Sequence, residues 1–260
     1  MRNNYLHRRQ TSVALVLLVI IAELGFCPQL LLSQYKKLSV TASVGYSSLN
    51  LGEVDNKNQL DAFGWAAQGI PVSQFGSLKQ SPFYSAGVTY RLDRELGFSL
   101  AWSYWRKSVS ASYAGSTSSL VLERGVGSTD YTLGISYYPD VQFSFLEWYF
   151  KLNLDLEYAR ATASAEGTQT FNFSGVLIPM PLVETEGLYK KSKTAVSLAI
   201  GGDVPIIHHV FVNVEAAYRF AQLGNLEGNI AQFGESSVET SSVAFDFSGI
   251  LVSTGLRVDF

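Results

Sequence analysis

From Leu38 to the end of the chain, apolar residues recur at every second position rather than with a helical period of 3.6. That is the signature of strands whose two faces meet different surroundings. Eight segments carry it: Leu38–Tyr46, Tyr84–Leu92, Leu96–Trp105, Tyr131–Tyr138, Trp148–Tyr158, Thr194–Gly201, Val210–Phe220 and Ile250–Phe260. In Trp148–Tyr158 the separation is complete. Trp148, Phe150, Leu152, Leu154, Leu156 and Tyr158 share one face, and Tyr149, Lys151, Asn153, Asp155 and Glu157 share the other. No apolar face contains a charge, whereas the opposite faces hold Arg91, Lys151, Asp155, Glu157, Glu215, Arg219, Arg257 and Asp259. Phe245 and Phe247 fall on the other parity from the apolar positions of the last segment, and a bulge near Gly249 is the expected cause.

Alternation by itself does not say which face is inside. A soluble lipocalin-like binding barrel would turn the apolar face inward, around a ligand. Four features favour lipid outside. The polar face of Leu96–Trp105 is Gly97, Ser99, Ala101 and Ser103, too bland for water but suited to a crowded lumen. Aromatics mark the segment ends (Tyr46, Tyr84, Tyr104, Tyr131, Tyr137, Trp148, Tyr158 and Phe260), as in interfacial girdles. The short connections Asp93–Glu95, Pro139–Glu147 and Asp203–His209 alternate with the long ones Ser47–Pro82, Arg106–Asp130, Arg160–Lys193 and Ala221–Ala244. Finally, an even strand number leaves both ends on one side of the membrane. The expected fold is therefore all-β, an eight-stranded antiparallel up-and-down transmembrane β-barrel, closed because lipid offers no partner to an open edge.

Composition agrees with this reading. Of 260 residues 16% are charged, well under the roughly 25% of a typical soluble domain, and a net charge of −3 gives no basic excess for nucleic acid. The N-terminus carries Arg2, His7, Arg8 and Arg9 before the apolar or small run Thr11–Ala22, which is h-region length and short of the roughly 20 residues of a spanning helix. Residues 1–33 are read as a signal peptide cleaved after Ser33, and 34–260 as the barrel domain. Cys27, the one cysteine, lies in the presequence, so the mature chain has no disulfide and no thiolate metal site.

The last strand, Ile250-Leu-Val-Ser-Thr-Gly-Leu-Arg-Val-Asp-Phe260, resembles the C-terminal strand of bacterial outer-membrane barrels, in which alternating apolar residues lead to a terminal Phe. The chain as a whole resembles small eight-stranded barrels such as the OmpA transmembrane domain, OmpX and OmpW. The resemblance implies the outer membrane of a Gram-negative cell envelope. It also implies outer-membrane lipid and lipopolysaccharide as surroundings, and recognition by the barrel-assembly machinery through the strand ending in Phe260. The chain is expected to be monomeric.

No catalytic, cofactor-binding or metal-binding residues are assigned, and no enzyme is expected. His208 and His209 fall in a short turn, at the wrong end for a hydrolase of outer-leaflet lipid. Asp155 and Glu157 are read as structural, sharing a narrow lumen with Lys151, Arg219, Arg257, Glu215 and Arg91. Counting depth from the strand ends predicts that Arg257 pairs with Glu215 and that Arg219 lies level with Glu157. The long connections are unusually apolar, as in Leu60–Ala67 and Gly175–Val183, where Pro179 and Pro181 forbid a regular central strand. The main functional expectation is a structural or surface-interaction barrel with a charge-filled lumen. The alternative is a small transporter passing apolar molecules through the outer loops.

Overall fold

The computed structural model describes residues 38–139, 146–174, 176–233 and 235–260. The signal peptide, its cleavage site and Cys27 lie outside the described residues. Among the described residues ten strands and one helix follow in order: β1 (Leu38–Leu49), α1 (Gly52–Ala67), β2 (Gln80–Arg91), β3 (Leu96–Ala114), β4 (Ser118–Tyr137), β5 (Glu147–Phe173), β6 (Val176–Ile207), β7 (Val210–Phe220), β8 (Gln222–Gln232), β9 (Glu235–Asp246) and β10 (Gly249–Asp259).

Eight of the strands close into an antiparallel ring, β1-β2-β3-β4-β5-β6-β7-β10, with β10 returning to β1 over Ser39↔Asp259 to Leu49↔Gly249. The Phe260 amide donates to the Leu38 carbonyl at 2.9 Å, which ties the C-terminal end of the last strand to the start of the first. The outward positions are those read as apolar. Val44, Tyr84, Leu133 and Leu256 are each more than half exposed, and no outward position in the band between the two aromatic rows is charged. Inward positions are buried or half-buried and mostly polar or small. This inside-out arrangement excludes the lipocalin-like alternative, because an apolar ring open to solvent would be costly in water and is at home in lipid.

The strands continue far beyond the membrane. Crossing takes about 9–11 residues, yet β5 has 27 and β6 has 32. Most of what reads as three long loops is paired sheet. β3 and β4 pair to Ala114↔Ser119, β5 and β6 to Phe173↔Val176, and β8 with β9 forms an added hairpin docked on β6 at Thr185–Lys190. β6 continues through Pro179 and Pro181, which pair with Thr170 and Thr168 on β5, with a register shift beside Pro181 where the ladder skips Leu182. The contradiction with the sequence expectation is resolved by position. Above Glu184, whose carbonyl accepts from the Phe233 amide at 3.1 Å, the far side of β6 has no partner among the described residues, so the missing N–H groups fall on an edge, where proline is tolerated.

The first long connection contains α1, which was not expected. Its buried residues are Val54, Asn58 and Ala62, a stripe of spacing four that includes a polar and a small side chain. Such a stripe is too thin to register as an amphipathic pattern. Glu53 and Asp55 in the first turn complement the helix dipole. Asp55 also accepts from the Ser77 hydroxyl (2.6 Å) and the Leu78 amide (2.9 Å), pinning the return segment against the helix.

Candidate functional site

The lumen is filled in layers. At the end holding the short turns, Arg257 pairs with Asp203 and with Asp259 (2.8 Å), and its guanidinium lies over the Phe211 ring at 4.9 Å. Beside it Arg91 makes a two-pronged contact with Glu147 (2.6 and 2.7 Å) and stacks on Tyr138 at 3.8 Å. One step higher, Asn213 donates to Asp203 (2.8 Å) and to the Tyr149 hydroxyl (2.9 Å), Tyr149 donates to Glu215 (2.8 Å), and Lys151 stands 3.8 Å from Glu215. Gly201 gives Tyr149 its room, since any side chain there would strike the phenol ring. A polar cavity of about 70 Å³ remains among these groups, small against the roughly 300–1,000 Å³ of a ligand pocket.

The expected Glu215–Arg257 pair is not formed. Neighbouring strands of a barrel are staggered, so depth counted from each strand's own end misplaces both residues. In the β7–β10 register Glu215 faces Ser253 and Arg257 faces Phe211. The two are therefore four residues apart, about 13 Å along the strand. Asp203, which the sequence reading put in a turn, is the acid at Arg257's level because β6 extends to Ile207.

The next layer spans the barrel from β7 to β4 and β5. Arg219, 3% exposed, reaches across to Asp130 (2.8 Å) and has Glu157 at 3.9 Å. Ser103 and Ser128 also donate to Asp130, and Thr132 and Ser197 donate to Asp155. Asp130, which the sequence pattern places at the end of a long connection, occupies an inward, buried position of β4. Glu157 has 0% exposure and neither of its carboxylate oxygens has a hydrogen-bond partner among the described residues.

Above the ionic layer sits an apolar plug. Trp105 and Phe247 meet edge to face, ring centroids 5.0 Å apart, with Leu51 just before α1, Val54 of α1, Leu78, Phe83, Leu223, Leu226 and Phe245 around them. Phe245 and Phe247 thus belong to the interior. Their parity is that of the inward residues Leu251, Ser253 and Arg257, and no bulge is needed. The chain breaks pairing only at Phe247–Ser248, where the Phe247 amide donates to the Ala221 carbonyl and Arg219 Nε donates to the Phe247 carbonyl at 3.3 Å. A second apolar cluster, Ala62, Phe75, Ala111, Leu120 and Leu122, seats α1 and its return segment against β3 and β4. The end of the β5–β6 hairpin is apolar and bare, with Leu177 67% exposed, and on β9 Val238 is 81% exposed.

No protein-family model matches the chain, and no curated protein matches it. Among solved structures it is similar to the outer membrane protein OprG from Pseudomonas aeruginosa (11% identity, 86% of this chain and 95% of that one, TM-score 0.47). It is likewise similar to a major outer membrane protein from Thermus thermophilus (9%, 86% and 99%, TM-score 0.48) and to Neisserial surface protein A (12%, 87% and 98%, TM-score 0.42). By its own geometry, a closed eight-stranded ring with an uncharged, aromatic-bordered outer band, this chain has the fold of a transmembrane β-barrel of the outer-membrane type.

Proposed function

We propose that this barrel is a non-conducting support that holds a rigid headpiece away from the cell and presents the apolar tips of its hairpins to a partner surface. The observation that carries this reading is the pairing of a twice-blocked lumen with strands that outrun the membrane. From Tyr158 to Phe173, β5 adds fifteen residues of paired strand, about 50 Å at 3.3 Å per residue. At its end Val176, Leu177, Ile178 and Met180 are exposed. Exposed apolar surface on a built scaffold marks an interaction site. The transporter alternative asks for an apolar path through the mouth, but the apolar residues there are packed into the plug around Trp105 and Phe247. Phe260, exposed at the turn end of β10, is assigned to recognition by the barrel-assembly machinery.

Two measurements test the proposal. Planar-bilayer recording of the whole protein is expected to show no stable steps. Cells producing the protein are expected to adhere to hydrocarbon droplets, and to lose that adherence when residues 171–180 are replaced by a two-residue turn. Porin-like steps, or equal adherence of the two, would refute it.

A further inference from the structure

Just outside the membrane the sheet carries one basic row on its outer face. Tyr84, Tyr104 and Tyr158 belong to a single cross-strand row through Tyr84↔Tyr104, Tyr104↔Thr129 and Thr129↔Tyr158, and this row is part of the outer aromatic girdle. Two residues further along the same strands, and on the same outward face, the registers Arg106↔Gly127, Gly127↔Arg160 and Arg160↔Lys190 line up three cations. Two residues of strand are about 6.6 Å, or about 5 Å of added height at a tilt near 45°. The cations therefore stand at the depth of lipid headgroups.

Their state is unusual in this chain. Arg106, Arg160 and Lys190 are exposed, and among the described residues their side chains make no hydrogen bond or ion pair, whereas the lumen cations Arg91, Arg219 and Arg257 are each held by an acid. Arg160 and Lys190 stand directly opposite one another, an arrangement that is unfavourable unless an anion comes between them. Acids on this face keep to other places. Glu123 and Glu186 lie four residues higher on their strands, and Glu227 borders the row only at its β8 end, opposite Lys190. Between the two arginines stands Gly127, where a Cβ would strike the Trp105 carbonyl at 2.7 Å, so no side chain separates them. The spacing also suits an anion: Arg160 and Lys190 are one strand apart, about 4.8 Å, and Arg106 is two strands from Arg160, about 9.6 Å. Guanidinium groups grip phosphate through two parallel hydrogen bonds.

We infer that Arg106, Arg160 and Lys190 form a site for the phosphates of an anionic glycolipid in the outer leaflet, which neutralises the row and fixes the height of the barrel in the membrane. This deepens the membrane placement above and rests on the girdle reading. Each cation near an anionic lipid surface contributes about fivefold, so three set a ceiling of about a hundredfold preference for phosphorylated lipid. At least about tenfold is expected.

The test uses the full chain folded into phosphatidylcholine vesicles doped with lipid A, with dephosphorylated lipid A, or with neither, and reads lipid retained after extraction into mild detergent. The wild type is expected to retain phosphorylated lipid A over the dephosphorylated form. The R106Q/R160Q/K190Q variant is expected to lose most of that preference while keeping the heat-dependent gel mobility of a folded barrel. A K57Q/K79Q control, which removes exposed cations elsewhere, should retain it, and added inorganic phosphate at millimolar concentration should not displace the lipid. Insertion without any phosphate preference, or a preference unchanged in the triple variant, overturns this inference and leaves the barrel reading intact. Displacement by inorganic phosphate overturns it in favour of a free-anion site, and failure to insert into plain phosphatidylcholine overturns both readings.

Discussion

Asp130 and Glu157 flank the same arginine, yet their removal should have different consequences. Asp130 receives Arg219 at 2.8 Å and the hydroxyls of Ser103 (3.0 Å) and Ser128. Changing it to alanine leaves a buried guanidinium and two hydroxyls without their acceptor. Breaking a buried pair in this way costs about 3–5 kcal/mol, and Glu157 at 3.9 Å recovers only part of it. Among the described residues Glu157 accepts no hydrogen bond with either oxygen. With Asp130 and Asp155 it makes three acids around one arginine, and of the surplus negative charge Glu157 carries the part that no hydrogen bond from the described residues offsets. Glu157→Gln keeps the volume and removes that part of the surplus, and should cost less than about 1 kcal/mol or stabilise the barrel. The assay is urea-driven unfolding in lipid vesicles, followed by tryptophan fluorescence and by gel mobility. Equal losses in D130A and E157Q would refute the reasoning, since they would mean that Arg219 draws on both acids alike.

Two further expectations come from the plug and the topology. Phe247→Ala empties a fully buried ring site and should cost about 3–5 kcal/mol, whereas Phe171→Ala at the 40% exposed hairpin end should stay within about 0.5 kcal/mol; comparable losses in the same unfolding assay would show that the plug is not packed as described. Epitope tags inserted at Ser116 and Ser174, in the β3–β4 and β5–β6 turns, should be reached by antibody on intact cells, and a tag at Asp93 in the β2–β3 turn should not. The reverse pattern would invert the topology.

The membrane part of this molecule was legible in its sequence because each strand there has lipid on one side and a polar lumen on the other, and period two follows directly. All eight ring strands were located in this way, and β7 was placed with its bounds, Val210–Phe220. Three things were hidden. Pairings across the lumen depend on the stagger between strands, which no single strand encodes, so Arg257 was given Glu215 instead of Asp203. The helix α1 touches its neighbours through Val54, Asn58 and Ala62, residues with no collective hydrophobic signature. Proline was weighed as a breaker of central strands, but β6 is an edge strand where Pro179 and Pro181 lie.

The strands were cut short for a deeper reason. Below Tyr104 the outward positions of β3 are apolar and the inward ones polar. Above it Arg106, Ser108, Ser110 and Ser112 face out, while Trp105, Val109 and Ala111 face in. β5 inverts at the same level, with Arg160, Thr162, Ser164 and Glu166 outward and Ala159, Ala161 and Ala165 inward. The register does not slip and the alternation does not stop; what changes is the solvent. Outside, lipid gives way to headgroups and water, and inside, the ionic layers give way to a packed apolar core. A pattern reader that holds the outer face to one polarity sees the reversal as the end of a strand. In physical terms the reversal marks the outer boundary of the membrane to within about one residue. It also accounts for the blocked mouth: a headpiece standing in water must bury its apolar side chains inward, and the only interior available to them is the top of the lumen.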